Sequence, residues 1–330
     1  MTTVNLIARD NGAGLSVDMQ IVATALAAGG FDVTVTALGH RSRLVGKLLY
    51  GWSRVRGRWQ RLTSDAPRYR HDINLMLERV QPELLADARH NVLIPNPEWF
   101  HGDWHRWLPR LDRVLVKTRH AGAAFEALGC HTRYVGFSSR DQWLPQVPRR
   151  LQFLHMPGSS NNKGTQALLR LWAAHPQWPQ LTLVWRSRTA AIAHLPSNVQ
   201  WRRERLDEDG LRQLQNAHAF HLCPSETEGY GHYLVEALGV GAVTVTLDAP
   251  PMNELVTPER GVLCAAQPFG SQALATLYRF DAEAMRAAVQ RCIAMHAHER
   301  ETIGANARRW FEDNARAFPA RLRDALLELG

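Results

Sequence analysis

Between His218 and Val256 the chain reads HAFHLCPSETEGYGHYLVEALGVGAVTVTLDAPPMNELV, and few folds accommodate such a stretch. Ala219 to Leu222 is a buried strand and Pro224 to Glu228 a polar turn. Gly229 and Gly231 flank the start of a helix that runs roughly from His232 to Leu238. Gly239 and Gly241 end that helix. A second apolar strand, Val243 to Leu247, then leads into a loop carrying Pro250, Pro251, Asn253 and Glu254. Strand, loop, helix and strand in this order make a parallel βαβ unit, and α/β sheets bind ligands at the C-terminal ends of such strands. The glycines allow close backbone approach, and the helix start offers an anion free N–H groups and a positive dipole end. Two carboxylates, Glu228 and Glu236, frame that helix start. A capping Glu228 and a solvated Glu236 are the plain alternative, but they leave the glycines and the abrupt turn unexplained.

The same residues resemble the Glu-x7-Glu signature of the family-four glycosyltransferases. The matching pieces are the Pro224-Ser225 turn, Glu228-Gly229-Tyr230-Gly231, Val235-Glu236-Ala237-Leu238, the break at Gly239 and the strand from Val243. The resemblance implies an α/β chain of the GT-B fold, two Rossmann-like domains with parallel sheets facing across a cleft. It also implies a nucleotide-diphosphate sugar, built on UDP or GDP, as co-substrate. Glu228 would contact the donor sugar and Glu236 the ribose. The backbone of Gly229, Tyr230, Gly231 and His232 would hold the diphosphate.

At 330 residues and 45% hydrophobic, the chain can bury two cores. No apolar run reaches the length of a spanning helix, and the N-terminus reads as a strand, not a signal peptide. Cys130, Cys223, Cys264 and Cys292 have no paired spacing, so ordinary thiols in a reducing cytoplasm are expected, with no metal site.

The net charge of +8 is concentrated in one segment. Residues 41–70 hold nine basic side chains and one acid, 9 − 1 = +8, leaving 39 − 9 = 30 basic against 31 − 1 = 30 acidic elsewhere. Leu44, Leu48, Trp52, Val55, Trp59 and Leu62 repeat there at helical spacing. Gly46, Gly51 and Gly57 weaken such a helix by roughly 1 kcal/mol each. Three readings compete: a solvated helix face, a basic helix lying on anionic lipid, or an arm gripping nucleic-acid phosphates through Arg54, Arg56, Arg58 and Arg61. The lipid version would place a cytoplasmic protein peripherally at a membrane.

Elsewhere in the first half, Val4 to Ala8, a Gly12/Gly14 turn, a helix over Val17 to Ala28 and a strand over Asp32 to Leu38 open an α/β domain. Residues 71–90, with Pro82, read as a helical connection. Asn91 to Pro95 is a strand whose end carries Asn96, Glu98 and His101, placed for the acceptor side of a crevice; Asn96-Pro97 is equally a simple turn. Glu98 and His101 are candidate catalytic residues. Lys117 follows the strand Leu111 to Val116 and is expected either to meet phosphate or to be exposed, with Thr118 as an N-cap. Domain boundaries are expected at residues 1–147, 148–312 and 313–330, the last piece a helix crossing back to the first domain and broken at Pro319.

In the second half, the strand Leu151 to Met156 leads into Pro157-Gly-Ser-Ser-Asn-Asn-Lys-Gly164. Gly158 and Lys163-Gly164 resemble the family's Gly-Arg…Lys-Gly loop, whose two cations neutralise the departing diphosphate. Ser159 stands in place of the arginine, and Arg186 or Arg188 would compensate. The implied reaction is glycosyl transfer with retention at the anomeric carbon, Lys163 and Glu228 being its central residues. A degenerate, non-catalytic module that binds nucleic acid or membrane is the competing class, supported only by that missing arginine.

Overall fold

The computed structural model describes residues 1–9, 14–39, 69–186, 192 and 194–330. Gly12, Arg54, Arg56, Arg58, Arg61, Arg188 and nearly all of the basic segment lie outside them. Two compact units emerge, one made of Met1–Ser138 with Ala315–Gly330, the other of Ser139–Asn314.

The first unit is built on a six-stranded parallel sheet in the order β2-β1-β3-β4-β5-β6. Its strands are β1 (Thr3–Arg9), β2 (Asp32–Leu38), β3 (His71–Glu78), β4 (Ala88–Pro95), β5 (Arg113–Val116) and β6 (Thr132–Tyr134). Helices α1 (Gly14–Ala28) and α2 (Arg119–Glu126) belong to this unit, and Thr118 caps α2 by accepting from the Ala121 N–H. A ladder of buried asparagines crosses the sheet interior. Asn5 donates to Asn74 and Asn74 to Asn91, each at 3.0 Å, and Thr36 donates to Asn5 at 2.7 Å. The three asparagines are register partners, so a slip of one residue would strand polar groups in the core.

The helical connection expected at residues 71–90 is instead strand β3, the entry to β4 and a short 3-10 turn at Pro82–Leu84. Ile73 to Leu77 is buried without interruption on both faces of β3, an interior strand of the sheet. A strand covered on both faces shows no alternation, which leaves its sequence ambiguous with a helix.

The second unit carries another six-stranded parallel sheet, ordered β12-β11-β10-β7-β8-β9. Its strands are β7 (Arg150–Gly158), β8 (Leu181–Trp185), β9 (Val199–Arg202), β10 (His218–Cys223), β11 (Val243–Leu247) and β12 (Gly261–Cys264). Phe153 on β7 and Phe220 on β10 are register partners with rings stacked at 4.9 Å, and Trp172 and Trp178 extend this core. The order runs outward from β7 through β8 to β9, then returns to β10 on the other side of β7. That reversal puts a topological switch point between β7 and β10, where open α/β sheets take their ligands.

Two further features depart from the sequence reading. An antiparallel hairpin, β13 (Ala266–Gln272) with β14 (Ala275–Phe280), stands where the sequence suggests no element. Pro319 does not break the last helix, which runs unbroken from Ala297 to Leu327. Residues 139–147 belong to the second unit, where Leu144 donates its N–H to Asn216 at 2.8 Å.

Candidate functional site: the switch point of the second sheet

Two loops meet at this switch point. One follows β7 and leads through Lys163 and Gly164 into helix α3 (Thr165–Ala174); the other follows β10 and leads through Glu228 to Gly231 into helix α5 (His232–Gly239). Between them in the chain lies helix α4 (Glu208–Ala217), capped by Asp207. Gly164 sits at φ +65 with the space for a Cβ only 3.0 Å from the Pro224 carbonyl oxygen, so one loop rests directly on the other. Gly231 has φ +90, and a Cβ there would stand 2.8 Å from Leu234 and 3.3 Å from Glu228. Both positions require the conformational and steric freedom of glycine. A buried histidine bolts the strands beneath. His155 bonds Leu222 O through Nδ1 at 2.7 Å and Thr165 through Nε2 at 2.9 Å, and burial holds its pKa down to about 4. It is neutral near pH 7, with Nδ1–H the donor to the carbonyl.

The loops bring Lys163 and Glu228 into direct ion-pair contact, the side chains 16% and 11% exposed. Ser225 donates to the same Glu228 oxygen at 2.5 Å and touches the Tyr233 hydroxyl, while the Lys163 ammonium stands 4.6 Å from the Tyr233 ring centre. Eight residues beyond Glu228, Glu236 accepts from Gln215 at 2.8 Å. Burial raises its pKa, and the neighbouring His232 pulls the other way. His232 opens α5 and meets Ser139 through Nδ1 at 2.8 Å. The arrangement thus combines a lysine, a carboxylate and the amide-bearing start of a helix at one strand end, a set suited to an anionic ligand that also carries hydrogen-bond donors, with Glu236 one turn further along the same helix.

The remaining candidates occupy varied positions. Gly158 ends β7 at φ +62 and Ser159 lies in the exposed turn that follows. The Arg186 N–H donates to Gly158 O at 2.7 Å, with the Arg186 side chain exposed. Gly229 is buried. So is Tyr230, which accepts from Asn314 at 3.3 Å. In the first unit, Glu98 lies half-buried in the 3-10 turn Pro97–Trp99, His101 is exposed, and Gly14 opens α1. Lys117 is neither exposed nor open to phosphate. It is 4% exposed and held by Asp18 at 2.5 Å and Asn96 at 3.0 Å, with the Phe137 ring centre 4.3 Å away. Its place at a strand end is legible in the sequence, but Asp18, on helix α1, lies ninety-nine residues away and gives no local sign.

Ser225, Tyr233 and Gln215 do not stand out in the sequence as site residues. Ser225 is visible there only as part of a turn. Tyr233 sits one residue past the helix start, with nothing in its spacing to show that it faces Lys163. Among the described residues no group of three or more His, Cys, Asp or Glu side chains is placed to share a metal ion, and no helix is long and apolar enough to cross a membrane.

The chain is similar over its whole length to several solved structures. A sucrose-phosphate synthase from Thermosynechococcus elongatus aligns with a TM-score of 0.71 at 15% identity, over 100% of this chain and 99% of that one. Anabaena HepE in complex with UDP-glucose aligns at 0.70 and 15% identity, over 99% and 100%. A glycosyltransferase from Rickettsia africae aligns at 0.69 and 12% identity, over 99% and 97%. The fold is therefore that of the GT-B glycosyltransferases, two Rossmann-like domains each on a six-stranded parallel sheet. No protein-family model and no curated protein sequence matches the chain.

Proposed function

We propose that this protein is a retaining glycosyltransferase that takes its sugar from a nucleotide-diphosphate sugar, with UDP-glucose the first donor to test. The observation that carries the reading is the contact of Lys163 with Glu228 at the second sheet's switch point, beside the α5 N-terminus. The GT-B fold and the complex of HepE with UDP-glucose support it. In this reading Lys163 and the helix amides take the diphosphate, Glu228 the sugar hydroxyls and Glu236 the ribose. An acceptor hydroxyl attacks the anomeric carbon as the carbon–oxygen bond to phosphate breaks. The bonding pair leaves with the nucleotide diphosphate, whose oxygen takes the acceptor's proton. Placement and charge stabilisation are the protein's part.

The direct test is nucleotide release from UDP-glucose and related donors, with and without hydroxylated acceptors, followed by NMR of the anomeric configuration. Absence of both release and nucleotide binding would leave the non-catalytic module as the better reading. A finer test separates the glutamates. Glu236→Gln should weaken UDP binding by about tenfold while turnover at saturating donor falls less than threefold, because a ribose contact is made alike in ground and transition states. Calorimetric titration with UDP measures the first and steady-state kinetics the second. Unchanged affinity with slower turnover would exchange the roles of Glu228 and Glu236.

For the acceptor, the charge excess of residues 41–70 favours a polyanion, and a hydroxymethylated base in DNA has the needed hydroxyl once flipped out. Changing Arg54, Arg56, Arg58 and Arg61 together to Gln should weaken binding to duplex DNA. The slope of log affinity against log salt should flatten by roughly 0.9 for each phosphate no longer neutralised, with donor binding intact. Sedimentation of the parent with anionic vesicles and indifference to DNA would move the acceptor to a lipid-linked one. Binding to neither would point to a small neutral acceptor.

A further inference from the structure

The four side chains at the switch point form a closed circuit. The Tyr233 hydroxyl meets Ser225, Ser225 donates to Glu228, Glu228 pairs with Lys163, and Lys163 stands over the Tyr233 ring. Because Ser225 gives its proton to Glu228, its oxygen is left to accept, and the Tyr233 hydroxyl supplies the matching donor. Tyr233 thus reaches Lys163 directly through its ring and Glu228 only by way of Ser225, through its hydroxyl. Burial pushes the Tyr233 hydroxyl well above its ordinary pKa, so it remains a donor.

We infer that Tyr233 is the positioning residue of the donor site, the constant partner that holds Lys163 while the ammonium passes from Glu228 to the donor diphosphate. The inference rests on the donor-site reading above. Lys163 and Glu228 satisfy each other in the structure, and neither of these largely buried charges is left alone. The donor must open that pair, and it brings a replacement for each member: phosphate oxygens for the lysine and sugar hydroxyls for the glutamate. A lysine released into water would regain the rotamer freedom of a long side chain, which is costly to remove again. An aromatic face beneath the ammonium removes most of that freedom without using any of its three N–H donors. Tyr233 lies in the first turn of α5, so it keeps the ammonium beside the helix N-terminus, where a phosphate would be received. A further consequence is that the nucleotide diphosphate alone replaces only one half of the pair and leaves Glu228 without its cation. The intact donor should therefore bind more tightly than the diphosphate product.

The test uses three variants of the full chain and titration with UDP and GDP, the tighter of the two being followed. Tyr233→Phe keeps the ring and should hold nucleotide affinity within twofold of the parent, while turnover drops about fivefold as Ser225, the residue that orients Glu228, loses its donor. Tyr233→Leu removes the ring and should weaken nucleotide binding about tenfold. Lys163→Met controls for the donor-site reading itself. If Lys163→Met weakens binding and Tyr233→Leu does not, the role given to Tyr233 is overturned. If Lys163→Met leaves nucleotide binding unchanged, or neither nucleotide binds the parent, the donor-site reading fails with it. Melting curves identify a variant that fails to fold. Should Tyr233→Leu do so, Tyr233→Met replaces it as the variant without a ring, and parental nucleotide affinity in Tyr233→Met overturns the proposal.

Discussion

Replacing either Lys163 or Glu228 with alanine should lower glycosyl transfer by about 100- to 1000-fold, the cost typical of losing one preorganised charge-stabilising group. The two losses should not add. Each residue is the other's partner, so either substitution already dismantles the contact that both maintain. The double variant should fall little below the worse single one, a pattern expected of residues that act as a unit. Folding should survive, because both side chains lie at a loop mouth and each keeps some access to water. Steady-state rates at saturating donor, read beside thermal melting, separate a catalytic loss from a structural one. Near-parental turnover in both single variants would remove them from the reaction.

The second large effect is on stability and falls in the first unit. Asp18→Asn should destabilise the protein by about 3–5 kcal/mol, because it leaves the Lys117 ammonium buried without its carboxylate. Asn96 and the Phe137 ring remain but carry no negative charge. Adding Lys117→Met to Asp18→Asn should recover most of the loss, since an apolar side chain of similar length no longer needs a counter-charge. Urea unfolding followed by circular dichroism measures both. A parental midpoint for Asp18→Asn would mean that the pair contributes nothing.

The Lys117 pair also shows where sequence reasoning stops. Lys117 follows a strand, and that much is local. Its partner lies on α1, and no pattern in either stretch announces the meeting. The same holds for the switch-point circuit. Glu228, Gly229, Gly231 and Glu236 are legible because their spacing reflects a single strand–loop–helix unit. Lys163 is legible through its own loop. That the two loops abut, with Gly164 against Pro224, depends on the strand order that places β7 beside β10.

Other departures have equally local causes. Strand β3 is buried on both faces and lacks the alternation that marks a half-exposed strand. The β13–β14 hairpin turns through Ala273 at φ +51, not through the glycine or asparagine that ordinarily signals such a turn. Pro319 suggests a break because it removes one helical hydrogen bond. Tertiary packing outweighs that cost here: Phe318 and Leu322 on either side are buried, and the Phe318 ring lies 5.0 Å from Phe137.

The division of the chain into units has a consequence for synthesis. The first unit is completed by residues 315–330, whereas the second is one continuous segment, 139–314. A ribosome working at about 5–20 residues per second needs roughly 9–35 s to make those intervening 176 residues. Throughout that interval the surface that receives Phe318, Leu322, Ala325 and Leu326 waits uncovered on the nascent chain. The later-made unit therefore has every residue it needs before the earlier-made one does. Slowing translation across residues 139–314 would lengthen the first unit's exposure to chaperones and proteases.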